Sequence, residues 1–242
     1  MVLKISISGP AGAGKDELRK ALQRRMRVAH LSFAQPMKQM VSIATGLTVD
    51  EVELVKEGKT TPEIEAKLKG TPLATETPEQ RARRMRNILI EVGDPVMRQM
   101  WHQDVWVDNF ARRAEEVVLV DAVVGTDTRY ENEFEGLERN GFIMVDVLAP
   151  KSYLRIPPGH EKWNAPSERR LDGYRTPDVV PEWMPATGTV DRFHHRFWNN
   201  WKETGRTMDQ IADELLKAIA QGRTVKERPT PEREATPAPA KA

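Results

Sequence analysis

The chain has no cysteine at all. That excludes disulfides, thiolate metal sites and cysteine nucleophiles together, and it fits a reducing compartment. There is also no long apolar run: no stretch approaches the roughly 18 residues a membrane span needs. Residues 1–8 lack the basic start, long apolar centre and small-residue cleavage site of a signal peptide, so a soluble, cytoplasmic protein is expected. A charge excess of one sign is missing as well. Against 37 Lys and Arg stand 36 Asp and Glu, a formal net charge of +1. A balanced chain offers no evident basic groove for nucleic acid and no basic surface for a membrane. Neither partner is expected.

What remains is a globular balance, 39% hydrophobic and 30% charged over 242 residues. That is enough for one α/β domain with a sizeable core, or a core domain with a small lid. Residues 2–8 read as a strand, followed by a glycine-rich turn and a helix over 15–27 with Leu18, Ala21, Leu22 and Met26 near helical spacing. A second strand is expected at 28–33 and a helix at 36–45, with Pro36 in its first turn. Residues 48–84 are charged, carry Pro62, Pro72 and Pro78, and read as a helical excursion outside the sheet. An amphipathic stretch follows at 85–101, then a helix at 104–116, a buried strand at 117–126, a helix at 131–139 and a strand at 142–148. Strands alternating with helices predict a central parallel sheet. Residues 151–195 are rich in Pro, Arg, Trp and His without clear period and read as a lid or loop region. The pair His194-His195 reads as structural rather than metal-binding. A last helix is expected at 208–219. Residues 222–242 read as a disordered tail, leaving 1–221 as the domain.

The chemistry concentrates in Gly9-Pro10-Ala11-Gly12-Ala13-Gly14-Lys15. It fits G-x-x-x-x-G-K between a strand and a helix, the context of a P-loop. Glycines let several backbone N–H groups face phosphate oxygens, the helix N-terminus adds partial positive charge, and Lys15 supplies a point charge for the β- and γ-phosphates of ATP. Asp16 stands where Ser or Thr usually ligates Mg2+. It must bind the ion directly, bind it through water, or leave it to another carboxylate.

Several segments, in order, resemble the deoxynucleoside monophosphate kinases of bacteriophages. Gly14-Lys15-Asp16 is one. Phe33-Ala34-Gln35-Pro36-Met37-Lys38 resembles that family's Phe-Ala-x-Pro-Leu-Lys. Arg86-Asn87-Ile88-Leu89-Ile90-Glu91-Val92-Gly93-Asp94 resembles Arg-x-x-Leu-Gln-x-x-Gly-Thr, with Arg98 and Trp106 following. Asp127-Thr128-Arg129-Tyr130-Glu131-Asn132-Glu133 resembles Asp-Val-Arg-Phe-x-Asn-Glu, and Ser167-Glu168 a Ser-Glu pair in the lid. Ile90 and Asp94 depart from the pattern. The resemblance runs to about residue 219.

It implies a three-layer P-loop fold with a helical acceptor-binding excursion and a lid, ATP and Mg2+ as cofactors, and transfer of the γ-phosphate to a dNMP. Host cytoplasm is the implied location if the chain is phage-encoded, and a homodimer is among the oligomeric states left open. Lys15, Asp127 and Arg129 are the implied catalytic residues, with Asp16 toward the metal and Asp127 either toward the metal or as base for the acceptor phosphate. Phe33, Lys38, Arg86, Arg98, Arg129 and Glu133 are the implied acceptor contacts. Each has a plainer alternative. Asp127 can cap the helix after it. Arg129 can pair with Glu131 or Glu133. Arg86 and Arg98 can sit on a solvated helix face, Lys38 can be a surface lysine, and Phe33 and Trp106 can be core. Arg155, Arg169, Arg170 and Arg175 are the lid arginines. A kinase of the dephospho-coenzyme A or phosphomevalonate type, or a regulatory module that only binds nucleotide, are the rival functions.

Overall fold

The computed structural model describes residues 2–154, 171–175, 177, 180, 184 and 186–227, the side chains of Asp94 and Pro95 excepted. The expected residues Arg155, Ser167, Glu168, Arg169 and Arg170, and the tail from 228 onward, lie outside the described residues. The chain divides into two compact units, Met1–His30 with Val117–Ala242, and Leu31–Glu116.

The first unit is built on a five-stranded sheet: β1 (Leu3–Ser8), β2 (Val28–Leu31), β3 (Ala122–Gly125), β4 (Ile143–Leu148) and β5 (His195–Trp198), in the order β2-β3-β1-β4-β5. β1 pairs in parallel with β3 and with β4, and β4 in parallel with β5. Helices α1 (Lys15–Gln23) and α7 (Glu131–Arg139) follow β1 and β3. Side chains alternate across a strand. Ile5, Ile7, Ala122, Val124, Val145 and Val147 therefore share one face, packed with Leu18, Ala21 and Leu22 of α1 and with Ile211, Ala212 and Leu215 of the last helix, α9 (Met208–Ala220). The intervening residues Ser6, Ser8 and Asp146 are equally buried and polar, so the second face requires internal partners.

The second unit is helical: α2 (Ala34–Thr45), α3 (Val49–Lys56), α4 (Pro62–Leu68), α5 (Pro78–Glu91) and α6 (Val105–Glu116), with a π-helical stretch over Val92–Gln99. Its core gathers Val41, Val52, Val55, Ile64, Leu68 and Met85. Thr48 with Glu51, and Thr77 with Gln80, form reciprocal capping boxes that fix where α3 and α5 begin. Arg81, 8% exposed, is buried because its guanidinium is fully engaged, donating to Leu73 O at 2.7 Å and Ala74 O at 3.1 Å and pairing with Glu65.

Three expectations change. The strand expected over 117–126 is confined to Ala122–Gly125. Before it, Leu119 takes a left-handed φ of 62° and is exposed with Val118; a β-branched apolar run does not extend through a residue in that region. β5, and the short helix α8 at Trp201–Thr204, fall where no element was assigned. Finally, the first residues of the segment read as a tail lie beside β5: Arg196 N donates to Val225 O at 2.7 Å and Glu227 N to Arg196 O at 3.1 Å. No helix among the described residues is long and apolar enough to cross a membrane.

Candidate functional site

At the carboxyl end of the central strand β1, the chain enters a loop that only glycine can shape at three points. Gly9, Gly12 and Gly14 have φ of 138°, 92° and 103°. At Gly9 a Cβ would meet Val147 O at 2.0 Å, so the loop starts pressed against the backbone of β4. α1 begins directly after Gly14, an N-cap residue that has no side chain to cap it. Its first-turn N–H groups therefore face outward from the helix start with the positive end of the helix dipole. Lys15 reaches back across the loop, donating from Nζ to Gly9 O at 2.8 Å and Pro10 O at 2.9 Å. A lone anion arriving there would compete with two neutral carbonyls for an ammonium, which favours the anion.

The end of β3 comes alongside. Ser6 Oγ and Thr128 Oγ1 share a hydrogen bond of 2.8 Å, and Ser8 Oγ donates to Thr128 O at 3.3 Å. These tie the 126–129 segment over β1. Thr126 Oγ1 donates to Asp16 Oδ1 at 3.2 Å and lies 3.2 Å from His30 Nε2. Asp16 is exposed in the first turn of α1, with Arg19 Nε 3.8 Å away. Asp127 is half-buried, one residue past Thr126. Among the described residues no three His, Asp or Glu gather as a metal cage. Asp16 follows the glycine loop directly and Asp127 follows Thr126, whose hydroxyl bonds Asp16; carboxylate oxygens are the ligand type that hard divalent cations take.

Glu133 is 3% exposed and accepts from Arg129 N at 2.8 Å and Tyr130 N at 3.2 Å. Its carboxylate holds the start of α7. Arg129 is exposed. A narrow cleft of about 20 Å³, room for roughly one water, is lined by Gly9, Pro10, Lys15, Thr128, Arg129 and Arg175 among others. Three cationic side chains and the glycine loop thus face one opening within a single compact unit.

Of the arginines expected in a lid, Arg175 lies among the described residues. It is 3% exposed and grips Asp146 with two bonds, Nε to Oδ2 at 2.9 Å and a terminal nitrogen to Oδ1 at 2.8 Å. Arg196 donates to Asp146 Oδ2 at 3.1 Å and pairs with Asp191 at 2.8 and 3.0 Å. Burial alone would raise the pKa of Asp146, but Arg175 and Arg196 outweigh it and hold the carboxyl below its ordinary value. This is the set of partners that the polar face of the sheet requires. An Asp inside the apolar run 143–148 is the signal for it in the sequence.

The remaining expected residues belong to the helical unit. Phe33 is 5% exposed and stacks on Phe110 with ring centroids 4.5 Å apart. Lys38 pairs with Glu53 at 2.8 Å, and burial of Glu53 is outweighed by Lys38 and Lys56, which keep its pKa low. Arg86 is exposed; Arg98 is 7% exposed and donates to Gln103 O at 3.4 Å. Trp106 is core, with Nε1 donating to Gly93 O at 2.6 Å. Two open hollows of about 560 Å³ in this unit are lined by other residues, among them Gln80, Arg84 and Asn87 for one and Met97, His102 and Arg112 for the second. No protein-family model and no curated protein matches this chain.

Proposed function

We infer that the chain is a P-loop nucleotide kinase that transfers the γ-phosphate of ATP to a deoxynucleoside monophosphate. One observation carries the reading: a glycine loop at the carboxyl end of the central strand runs into a helix whose N-cap is itself glycine, with Lys15 bonded back across the loop to Gly9 O and Pro10 O. The sheet order β2-β3-β1-β4-β5 supports it, because ligands of open parallel sheets sit beyond the carboxyl ends of the strands where the winding changes direction. Here the chain winds from β1 outward to β2, returns to β3, and then crosses to β4 on the other side.

In this reading the loop amides and Lys15 hold the β- and γ-phosphates. An oxygen of the acceptor monophosphate attacks the γ-phosphorus as the bond to the β-phosphate oxygen breaks, giving ADP and a dNDP. Arg129 and Lys15 offset the charge that spreads over the transferred group. Bound Mg2+ would supply further neutralisation, and Asp16 and Asp127 are the carboxylates to hold it. The acceptor side is assigned from the resemblance of the 33–38, 86–94 and 127–133 segments. The experiment is ADP release from MgATP with dAMP, dGMP, dCMP, dTMP and the matching ribonucleotides offered one at a time. Stimulation by at least one dNMP supports the reading. A folded, ATP-binding protein that none of them stimulates refutes the acceptor assignment.

A further inference from the structure

A phosphate-binding loop works only if its peptide planes are already turned the right way, since each trans peptide fixes its C=O and the following N–H on opposite sides. One side chain far away in sequence grips such a plane. Asn199, 7% exposed, donates from Nδ2 to Ala13 O at 2.8 Å. The Gly14 N–H is thereby directed to the opposite side, away from Asn199. The packing is close: a Cβ on Gly14 would sit 2.7 Å from Asn199 Nδ2 and 2.5 Å from Met208 Cε.

Asn199 is itself held from two sides. Its own N–H donates to Leu148 O at 2.7 Å, at the end of β4. The preceding residue, Trp198, donates its N–H to Glu227 Oε2 at 2.7 Å. Glu227 is secured in turn by Arg206 at 2.6 Å and by its N–H on Arg196 O. Lys226, its neighbour, bonds Asp191 O at 3.1 Å. The segment Val225–Glu227 therefore straps the outer edge of β5, immediately before the asparagine that orients the loop.

Resting on the reading of the loop as a phosphate site, we propose that Asn199 is a positioning residue for that loop and that the 225–227 strap holds Asn199 in place. Asn199 touches no reacting atom in this scheme. It sets the Ala13–Gly14 peptide before the nucleotide arrives, so that no reorientation is charged against binding.

The test uses the full chain with two probes, MgATP and inorganic tripolyphosphate, the second of which reports on phosphate binding without a base. Asn199→Leu keeps the volume, removes the donor and leaves Ala13 O without this bond. The expected result is about tenfold weaker binding of both probes, the size of one buried hydrogen bond with its acceptor left behind. The acceptor KM stays unchanged, and a general loss of structure would not produce that split. Asn199→His, whose Nδ1–H can take the place of the amide nitrogen, restores part of the affinity. Glu227→Ala, acting only through the strap, weakens both probes in the same direction by less. Asn199→Leu binding tripolyphosphate as tightly as the wild type overturns the proposal. If that variant does not fold, wild-type affinity in both Asn199→His and Glu227→Ala overturns it instead. A wild-type protein that binds neither probe overturns the kinase reading, and this inference with it.

Discussion

Replacing Asp146 by Asn tests whether the polar face of the sheet is organised as described. Asp146 is fully buried, and the guanidinium groups of Arg175 and Arg196 beside it are 3% and 1% exposed. Asn keeps the shape and removes the charge. Arg196 retains Asp191, with bonds of 2.8 and 3.0 Å. Arg175 loses a bidentate carboxylate and keeps a long 3.4 Å bond to Leu171 O. Breaking a buried pair from one side costs about 3–5 kcal/mol, and the partner left to Arg196 places this case near the lower end, about 3 kcal/mol. For a chain of this size that corresponds to roughly 6–12 °C in Tm. Thermal and urea unfolding at pH 7 measure it. Asp146→Asn with Arg175→Met removes the stranded cation, so the double variant should lose less than the sum of the singles. The pH dependence has a definite sign. The pKa of Asp146 is depressed in the fold, so its contribution is complete above the unfolded-state value of about 3.9 and is lost as pH falls through the folded one. The gap between wild type and Asp146→Asn should therefore narrow at low pH. An Asp146→Asn variant within about 0.5 kcal/mol of wild type at pH 7, the range of an ordinary surface change, would mean that the carboxylate does not hold the two guanidinium groups in this way.

Two further substitutions follow from the same geometry. Burial, helped by His194 and Lys226, lowers the pKa of His195 from 6.5 to about 4, and its Nδ1 accepts from Val225 N at 3.2 Å. The unfolded chain takes up this proton near 6.5 and the folded one near 4, so stability should fall by up to about 3 kcal/mol as pH drops across that window. His195→Gln should flatten the slope of urea midpoint against pH between 6.5 and 4.5, and equal slopes would count against it. Gly9→Ala sets a Cβ 2.0 Å from Val147 O at a φ of 138° and should cost more than about 2 kcal/mol. Gly46→Ala, at φ 71° with open space around it among the described residues, should cost about 1 kcal/mol by the same unfolding assay.

The parts of this fold that were legible in the sequence are those written in local patterns. The glycine spacing of residues 9–14 predicts its own turn, and α1, α7, β4 and α9 follow from apolar period and flanking breakers. Thr48, Thr77 and Thr207, each with Glu or Gln three residues on, begin helices that the structure caps reciprocally, a local signal that the reading of 48–84 as one undivided excursion passed over. β5 was not legible, because His195-Arg196-Phe197-Trp198 buries an arginine and a histidine whose partners, Asp146, Asp191 and the Val225 amide, are distant in the chain. The over-long strand at 117–126 has the opposite cause: apolar, β-branched residues predict extension, while left-handed Leu119 ends it. At the candidate site, residue type alone does not separate Glu133 holding the 129–130 amides from Glu133 facing a ligand, nor Lys38 paired with Glu53 from Lys38 near a phosphate. Asn199 carries no sequence signal; its role follows from a contact 186 positions away.

Label transfer from ATP distinguishes phosphoryl transfer at the glycine loop from nucleotide binding alone. Wild type and Lys15→Met are incubated with γ-labelled MgATP and each dNMP in turn, and the nucleotide products are separated. Labelled dNDP is expected from wild type with at least one dNMP, and none above background from a Lys15→Met protein that unfolds at the wild-type temperature. Equal labelling by the two proteins, or no labelled dNDP from a wild type that binds ATP, would contradict phosphoryl transfer at that loop.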